Sequence, residues 1–165
     1  MPANTTSGTA SADTASAHAA SAHTASADTA SASAADGPVG LVLVSHSARL
    51  AEGVAELARQ LGGEHVPVEP AGGLPDGGLG TSIERIEQAV RAADRGAGVL
   101  ILADLGSAVL TVKLLLDEAG QLPAVTLADA PLVEGAVAAA VAASTGAGLD
   151  AVRAAAEEAR DFRKL

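Results

Sequence analysis

The residues best suited to chemistry are a histidine bracketed by two serines, Ser45-His46-Ser47, and an aspartate much further along the chain, Asp104. An imidazole has a near-neutral pKa and can accept a transferred group on one nitrogen while it is oriented through the other. A carboxylate that accepts the Nδ1–H would leave Nε2 free as the nucleophile and would stabilise positive charge on the ring. We therefore interpret His46 as a candidate nucleophile and Asp104 as the residue that orients it.

Hydroxyl side chains around these two residues could bind the oxygens of a phosphoryl group without a metal ion or another cofactor. Backbone N–H groups at the starts of the two helices that follow His46 and Asp104 would add to such a site. The candidate phosphate-binding residues are Ser45, Ser47, Thr81, Ser82 and Ser107.

Each of these residues also has an ordinary structural interpretation. A histidine at the end of a strand is often a turn residue, and Asp104 could simply cap a helix. Arg49 could meet a phosphate, although we favour a side chain facing solvent. Lys113 lies in an apolar helical stretch and is most simply a side chain that extends its ammonium group to water. His65 has no partner motif around it.

The candidate histidine lies between a predicted strand and a predicted helix, which would fix its position. The apolar run Val39 to Val44, which ends at the Ser-His-Ser turn, indicates a strand covered on both faces, as in parallel sheets. An amphipathic helix follows, with Ser45 or Ser47 as its cap. The apolar stripe predicted for this helix consists of Leu50, Val54, Leu57 and Leu61.

The remaining chain alternates between strand and helix patterns. Pro67 assigns the second strand to a sheet edge, and Thr81-Ser82-Ile83-Glu84 fits a capping box. In order, we predict a strand at 64–69, a loop at 70–80, a helix from 83 to about 94, a strand at 98–103, a helix at 108–118, a strand at 123–127, and helix beyond Pro131 with a break at 145–148.

This alternation is typical of an α/β fold with a doubly wound, mostly parallel four-stranded sheet and helices on both faces. In the strand order 2-1-3-4, the first and third strands are neighbours, and a crevice opens at their carboxyl ends. His46 and Asp104 each follow one of those strands. We therefore expect the two side chains to meet.

Residues 1–37 differ in composition from the rest. A five-residue Ser/Ala-rich repeat begins at Ser11, and the segment contains no Leu, Ile, Val or aromatic residue. Such a segment cannot bury enough apolar area to offset its ordering entropy, so we predict a disordered tail, in which His18 and His23 are incidental rather than a metal site. It lacks the basic start and apolar core of a secretory signal. Residues 38–165 suffice for one domain.

Charge and cysteine content narrow the classes of function. The chain of 165 residues has a formal net charge of −10 and no cysteine, which excludes disulfides and thiolate chemistry. An acidic chain does not favour nucleic acid and favours a protein partner with a basic face. No apolar run is long enough to span a bilayer, so we predict a cytoplasmic protein without membrane contact.

Four stretches carry a resemblance to a known family. They are Leu-Val-Leu-Val-Ser-His-Ser-Ala-Arg-Leu at 41–50, Gly-Thr-Ser at 80–82, Ala-Asp-Leu-Gly-Ser-Ala at 103–108, and Ala-Pro-Leu-Val-Glu-Gly-Ala at 130–136. In this order they resemble the phosphotransfer subunit of the phosphotransferase-system-dependent dihydroxyacetone kinase, which has the mannose-type EIIA fold. The resemblance extends from Val39 to about Glu157.

The resemblance implies that His46 takes phosphate from the phosphohistidine of HPr and passes it to ADP held by a partner subunit, which then phosphorylates dihydroxyacetone on a third subunit. Phosphoenolpyruvate would be the overall donor, and HPr-like and enzyme-I-like functions would come from separate proteins. The resemblance also implies a homodimer. The Ala-rich helix Glu134 to Ala143 would permit close approach at such an interface, and a tightly packed core helix explains it equally well.

Three alternatives remain open. A mannose-family EIIA that feeds a sugar transporter would use the same histidine with a different acceptor. A small tetrapyrrole metal chelatase also begins with a strand that runs into a histidine-containing turn, but it would need a second metal-handling histidine, and only His65 is available. A non-enzymatic flavodoxin-like binding module predicts no phosphate on His46.

Overall fold

A four-stranded parallel sheet with the strand order β2-β1-β3-β4 forms the centre of the molecule. The computed structural model describes residues 37–118 and 122–165, so the predicted tail, including His18 and His23, lies outside the described residues except for Gly37. The strands are β1 (Gly40–Ser45), β2 (Val68–Gly72), β3 (Val99–Ala103) and β4 (Val125–Leu127). The fold class and the strand order predicted from the sequence are therefore confirmed.

Helices cover both faces of this sheet. They are α1 (Ala48–Gly62), α2 (Ile83–Ala93), α3 (Gly106–Glu118), α4 (Leu132–Ser144) and α5 (Leu149–Glu158), followed by a 3₁₀ turn at Ala159–Asp161. Leu41 and Leu43 of β1 point into the core under α1, α4 and α5, whereas Val42 and Val44 point into the core under α2 and α3. Alternate residues of a strand face opposite sides, so β1 is buried along its whole length.

The second strand begins four residues later than predicted. Residues 64–66 form a turn after α1, and Val68 is the first residue of β2, paired with Leu41. The predicted bounds are wrong because the alternating Val66 and Val68 mark apolar burial but not where pairing starts, and the small residues Ala71 and Gly72 at the end of β2 give no side-chain pattern. The strand does lie at a sheet edge, and the proline within it is Pro70 rather than Pro67.

The apolar stripe predicted for the first helix is confirmed for Val54 and wrong for its three leucines. Leu50, Leu57 and Leu61 are 39 to 57% exposed. The buried face of α1 is made instead of Ala51, Val54, Ala55, Ala58 and Gly62. This face packs against α4, where a Cβ built on Gly62 would lie 2.6 Å from Cβ of Ala140, so the contact at the end of α1 leaves no room for a side chain.

The alanine-rich face of α4 is buried in the hydrophobic core of the chain. Its buried residues are Gly135, Ala136, Ala139, Ala140 and Ala143, which pack within the cluster that α1 and α5 share. Of the two interpretations of this helix, the structure therefore supports close packing within one chain. The homodimer stays a prediction, and this face does not provide its surface.

Two glycines of α1 test this packing as a matched pair. Gly62→Ala places a methyl group against α4, and we expect it to lower the free energy of unfolding by about 1–3 kcal/mol, the usual cost of overfilling a core. Gly53→Ala adds its methyl group where no atom lies within 4 Å, so the better helix propensity of alanine should stabilise the protein by up to about 1 kcal/mol. Urea unfolding followed by circular dichroism measures both. Equal stabilities of the two variants would contradict the close contact between α1 and α4.

Candidate functional site

His46 and Asp104 lie at the carboxyl ends of the two central strands. His46 directly follows β1, and Asp104 directly follows β3. Because the strands pair in parallel, with Val44 opposite Ala103, the Asp104 N–H donates to the carbonyl of Val44 over 3.1 Å. The topology thus brings the two side chains to one edge of the sheet, and Nδ1 of His46 lies 2.9 Å from Oδ1 of Asp104.

Four donors surround the carboxylate of Asp104. Oδ1 accepts from the ring Nδ1 of His46 and from the backbone N–H of Leu105 at 2.7 Å. Oδ2 accepts from the backbone N–H of His46 at 2.9 Å and from Oγ of Ser45 at 2.8 Å. Burial opposes ionisation of this carboxyl, but these hydrogen bonds outweigh it and lower the pKa of Asp104 below its usual value. The ionised carboxylate can only accept hydrogen bonds, so Nδ1 of His46 carries a proton.

The other ring nitrogen faces the open side of the site. Nε2 of His46 lies 2.7 Å from Oγ of Ser107, an exposed residue in the first turn of α3. With the proton on Nδ1 of the neutral ring, Nε2 carries a lone pair and accepts the hydroxyl proton of Ser107. The side chain of His46 is 25% exposed, against 11% for Asp104, so the ring has a buried, oriented end and an accessible, nucleophilic end.

The five predicted phosphate-binding residues divide into different structural roles. Only Ser107 contacts the imidazole ring directly. Ser45 is fully buried, and its hydroxyl donates to Oδ2 of Asp104. Ser47 caps α1 by accepting from the N–H of Leu50, and Ser82 caps α2 by accepting from the N–H of Arg85.

Thr81 joins the site through a residue that sequence reasoning missed. Oγ1 of Thr81 lies 2.9 Å from Oγ1 of Thr111 in α3, and Thr111 donates to the carbonyl of Ser107 at 3.1 Å. The segment before Thr81 is attached to the histidine, because Gly80 N–H donates to the carbonyl of His46 at 2.9 Å. The spacing of Ser107 and Thr111, four residues on one helix face, is the signal that could have identified Thr111.

The remaining candidates are not among the residues that hydrogen-bond to the ring. Arg49 and Lys113 are exposed side chains. His65 lies at the far end of α1, with Nε2 3.4 Å from the carbonyl of Ser144. The 15 residues of α1 separate His65 from His46 by roughly 22 Å, at about 1.5 Å per residue. These two histidines therefore cannot share a metal ion.

Two properties of the described residues bear on the alternatives. Among residues 37–118 and 122–165, no three histidine, aspartate or glutamate side chains cluster closely enough to hold a metal ion. Within the same two segments, none of the helices combines the length and the apolar character needed to cross a bilayer.

Comparison with known proteins places this geometry in a family. Residues 40–153 match the family model EIIA-man, described as the PTS system fructose IIA component. The chain is 44% identical over 119 residues to the protein named PEP-dependent dihydroxyacetone kinase, phosphoryl donor subunit DhaM, of Pantoea ananatis, and 42% identical to the one of that name from Escherichia coli. Each alignment covers 69% of this chain and 25% of the relative, so the chain spans about a quarter of the length of these relatives.

Two further similarities cover most of the matched protein. A Listeria innocua protein named PEP-dependent dihydroxyacetone kinase 2, phosphoryl donor subunit DhaM, is 37% identical over 105 residues, which are 62% of this chain and 84% of that one. A crystal structure of a protein of unknown function has a TM-score of 0.65 and 36% identity, and the match covers 73% of this chain and 94% of that chain. Because the matched family segment extends over well more than half of the chain and contains both His46 and Asp104, this chain belongs to the mannose-type EIIA family of phosphotransferase-system components.

Proposed function

We propose that this chain is a phosphohistidine carrier, which takes phosphate from HPr and delivers it to ADP bound on a partner subunit of a phosphoenolpyruvate-dependent dihydroxyacetone kinase. The observation that carries the proposal is the polarity of the His46 ring: the Asp104 carboxylate accepts the Nδ1 proton, and Nε2 faces the open side. The relatives are named as phosphoryl donor subunits of that kinase, and these names support the kinase as the acceptor of the phosphate. Such a carrier would act in the cytoplasm.

The chemistry is an in-line transfer. The lone pair of Nε2 forms a bond to phosphorus while the bond from phosphorus to the donor imidazole breaks, and that electron pair returns to the donor nitrogen. The Nδ1 proton stays in place, so the phosphorylated ring is cationic, and the Asp104 carboxylate 2.9 Å away stabilises it. In the onward step, an oxygen of the terminal phosphate of ADP attacks phosphorus, and the electron pair of the Nε2–phosphorus bond returns to the ring. Positioning supplies most of the catalysis of such transfers.

Ser107 and the first turn of α3 would bind the incoming phosphoryl oxygens. In the free protein the Ser107 hydroxyl occupies the lone pair of Nε2, so it has to turn away as the phosphoryl group arrives. The start of a helix presents backbone N–H groups and the positive end of the helix dipole to an anion. The hydroxyl can then donate to a phosphoryl oxygen beside Nε2.

The surface around His46 fits a protein partner. Leu79, next to the residue that holds the His46 carbonyl, and Leu105, next to Asp104, are both exposed. Exposed apolar side chains at the rim of a reactive group are suited to protein docking. The net charge of −10 favours partners with a basic face.

The two enzyme alternatives differ in how well the site supports them. A mannose-family EIIA of a sugar transporter would use the same histidine, and the kinase names of the relatives favour the kinase subunit. A chelatase that used His65 as a second metal-handling residue is not supported, because α1 separates the two histidines.

Phosphate labelling tests the carrier and its acceptor. Incubated with labelled phosphoenolpyruvate, enzyme I and HPr, the protein should gain one acid-labile phosphate on His46. His46→Ala should abolish the label, and the control His65→Ala should keep it. Addition of the ADP-bearing subunit should transfer the label to ATP. Label that persists in His46→Ala would exclude the proposed carrier site, and label that is not discharged to ADP would favour the transporter component.

Asp104→Asn tests the orientation of the ring. An amide can donate to Nδ1 and so favours the tautomer with its proton on Nε2, which is not nucleophilic. We expect the rate of phosphorylation by phospho-HPr to fall by at least about 10-fold, because the loss of a carboxylate that orients a histidine costs about 10- to 100-fold at metal sites and about 10⁴-fold at a serine-protease triad. Asp117→Asn, an exposed change on α3, is the control. Equal rates for the two variants would show that the carboxylate does not orient the nucleophile.

Acid titration of stability tests the ionised state of Asp104. A carboxyl whose pKa is lowered by folding contributes stability above its unfolded pKa, and this contribution is lost as the pH falls through the folded pKa. The free energy of unfolding of the wild type should therefore fall more steeply than that of Asp104→Asn below about pH 4, near the unfolded pKa. Urea unfolding at a series of pH values measures the two slopes, and parallel curves would contradict the hydrogen-bonded carboxylate.

A further inference from the structure

Ser45 is a polar residue in a fully buried position, the last residue of β1. A buried hydroxyl that lacks partners is costly, and this one has two. Its oxygen accepts the backbone N–H of Ser47 at 3.1 Å, and it donates to Oδ2 of Asp104 at 2.8 Å. Because a hydroxyl has one proton, the acceptor bond from Ser47 and the absence of solvent leave that proton directed at the carboxylate.

The contact at Nε2 does not decide where the ring proton lies. Ser107 is a hydroxyl, which can donate to an unprotonated Nε2 or accept from a protonated one. The choice of tautomer therefore depends on Asp104, and on whatever holds Oδ1 of Asp104 opposite Nδ1. Leu105 N–H also donates to Oδ1, so the bond to the ring is not by itself what fixes the direction of that oxygen.

We propose that Ser45 is a positioning residue for phosphotransfer: its buried hydroxyl fixes the carboxylate of Asp104 so that Oδ1 holds the Nδ1 proton of His46 and Nε2 stays unprotonated. The hydroxyl comes from β1 and the carboxylate from the end of β3, so this bond ties the orienting residue to the strand that carries the nucleophile. Without the Ser45 hydroxyl, the His46 N–H is the one remaining donor described for Oδ2. Ser45 is fully buried, so solvent does not replace its hydroxyl. The role in phosphotransfer rests on the proposed function, whereas the control of the tautomer does not.

Three variants separate positioning from simple structural support. Ser45→Ala removes the hydroxyl and leaves the strand backbone in place. Ser45→Thr keeps the hydroxyl on the same carbon and is the conservative rescue. Ser144→Ala removes a hydroxyl that donates to a backbone carbonyl near the end of α4 and is the control. Urea unfolding of each variant confirms that it is folded under the conditions of the assays.

The first measurement is the tautomer of His46 in the unphosphorylated full chain, by nitrogen NMR of protein labelled with ¹⁵N-histidine and assigned with His46→Ala. In the wild type and in Ser144→Ala, the proton should lie on Nδ1. In Ser45→Ala the two ring nitrogens should move towards each other in chemical shift, because part of the population carries its proton on Nε2. Ser45→Thr should restore the wild-type shifts.

The second measurement is the rate of phosphorylation by phospho-HPr at saturating donor. Ser45→Ala should be slower by about 10-fold, the lower end of the effect expected for a residue that orients a functional side chain, with its label still on His46. Ser45→Thr should recover most of the rate. Unchanged tautomer shifts in Ser45→Ala, or a folded Ser45→Thr as slow as Ser45→Ala, would overturn the inference. A wild-type chain that HPr does not phosphorylate would overturn the carrier proposal instead, and the tautomer measurement would still decide the role of Ser45.

Discussion

The hydrogen bond between Nδ1 of His46 and Oδ1 of Asp104 is the interaction on which the site depends, and it exists because β1 and β3 are neighbours. Fifty-eight positions separate the two residues in the chain, so no local element could bring them together. A parallel sheet does so by aligning the ends of its strands, and the crossover through β2 and α2 returns the chain to the other side of β1. The fold thus converts a long sequence separation into a contact of 2.9 Å.

Small residues give this arrangement its precision. Gly40 of β1 lies so close to the carbonyl of Ala93 that a side chain could not fit, and Gly72 at the end of β2 lies against the start of α1, where a Cβ would be 2.6 Å from the carbonyl of Ser47. Closely packed elements have few ways to shift, because protein interiors are dense and contain few voids. The turn that carries His46 is therefore held from the α1 side by packing and from the β3 side by hydrogen bonds to Asp104.

Strong hydrophobic patterns in the sequence predicted the sheet and the position of the site. Features that depend on close contacts between elements, such as the buried face of α1, were not predicted. The apolar runs of β1 and β3, with a histidine and an aspartate directly after them, were sufficient to predict the sheet and the meeting of His46 and Asp104. The face of α1 was not predictable from hydrophobicity, because close approach to α4 favours Ala and Gly over the larger leucines at the centre of the interface. Both bounds of β2 were missed: the alternating Val66 and Val68 placed the start too early, and the last two residues, Ala71 and Gly72, carry almost no side-chain pattern.

The roles of the hydroxyl residues were the least predictable part of the site. A serine beside a histidine can bind a ligand, cap a helix or hold another side chain, and its residue type is the same in each case. Burial separates these roles: Ser45 is enclosed and directed at Asp104, whereas Ser107 is exposed and directed at Nε2. Ser45 ends β1 and Ser107 lies in the first turn of α3, so each is a serine between a strand and the following helix. The sequence does not distinguish their roles, and the three-dimensional structure does.

The two ends of the imidazole ring also constrain how the proposed carrier would exchange its partners. The Nδ1 end is enclosed by Asp104 and its donors, so in the proposed function every phosphate donor and acceptor would have to reach the same nitrogen, Nε2, from the same open side. Under that proposal, two proteins that each cover Nε2 would exclude one another. Phosphate would therefore move through two successive complexes, with the free phosphorylated carrier between them, and the stability of that intermediate depends on the carboxylate that remains at Nδ1 in both complexes and in the free carrier. Because Asp104 holds Nδ1 in the same way throughout, the exposed Nε2 could react with one partner and then with the next.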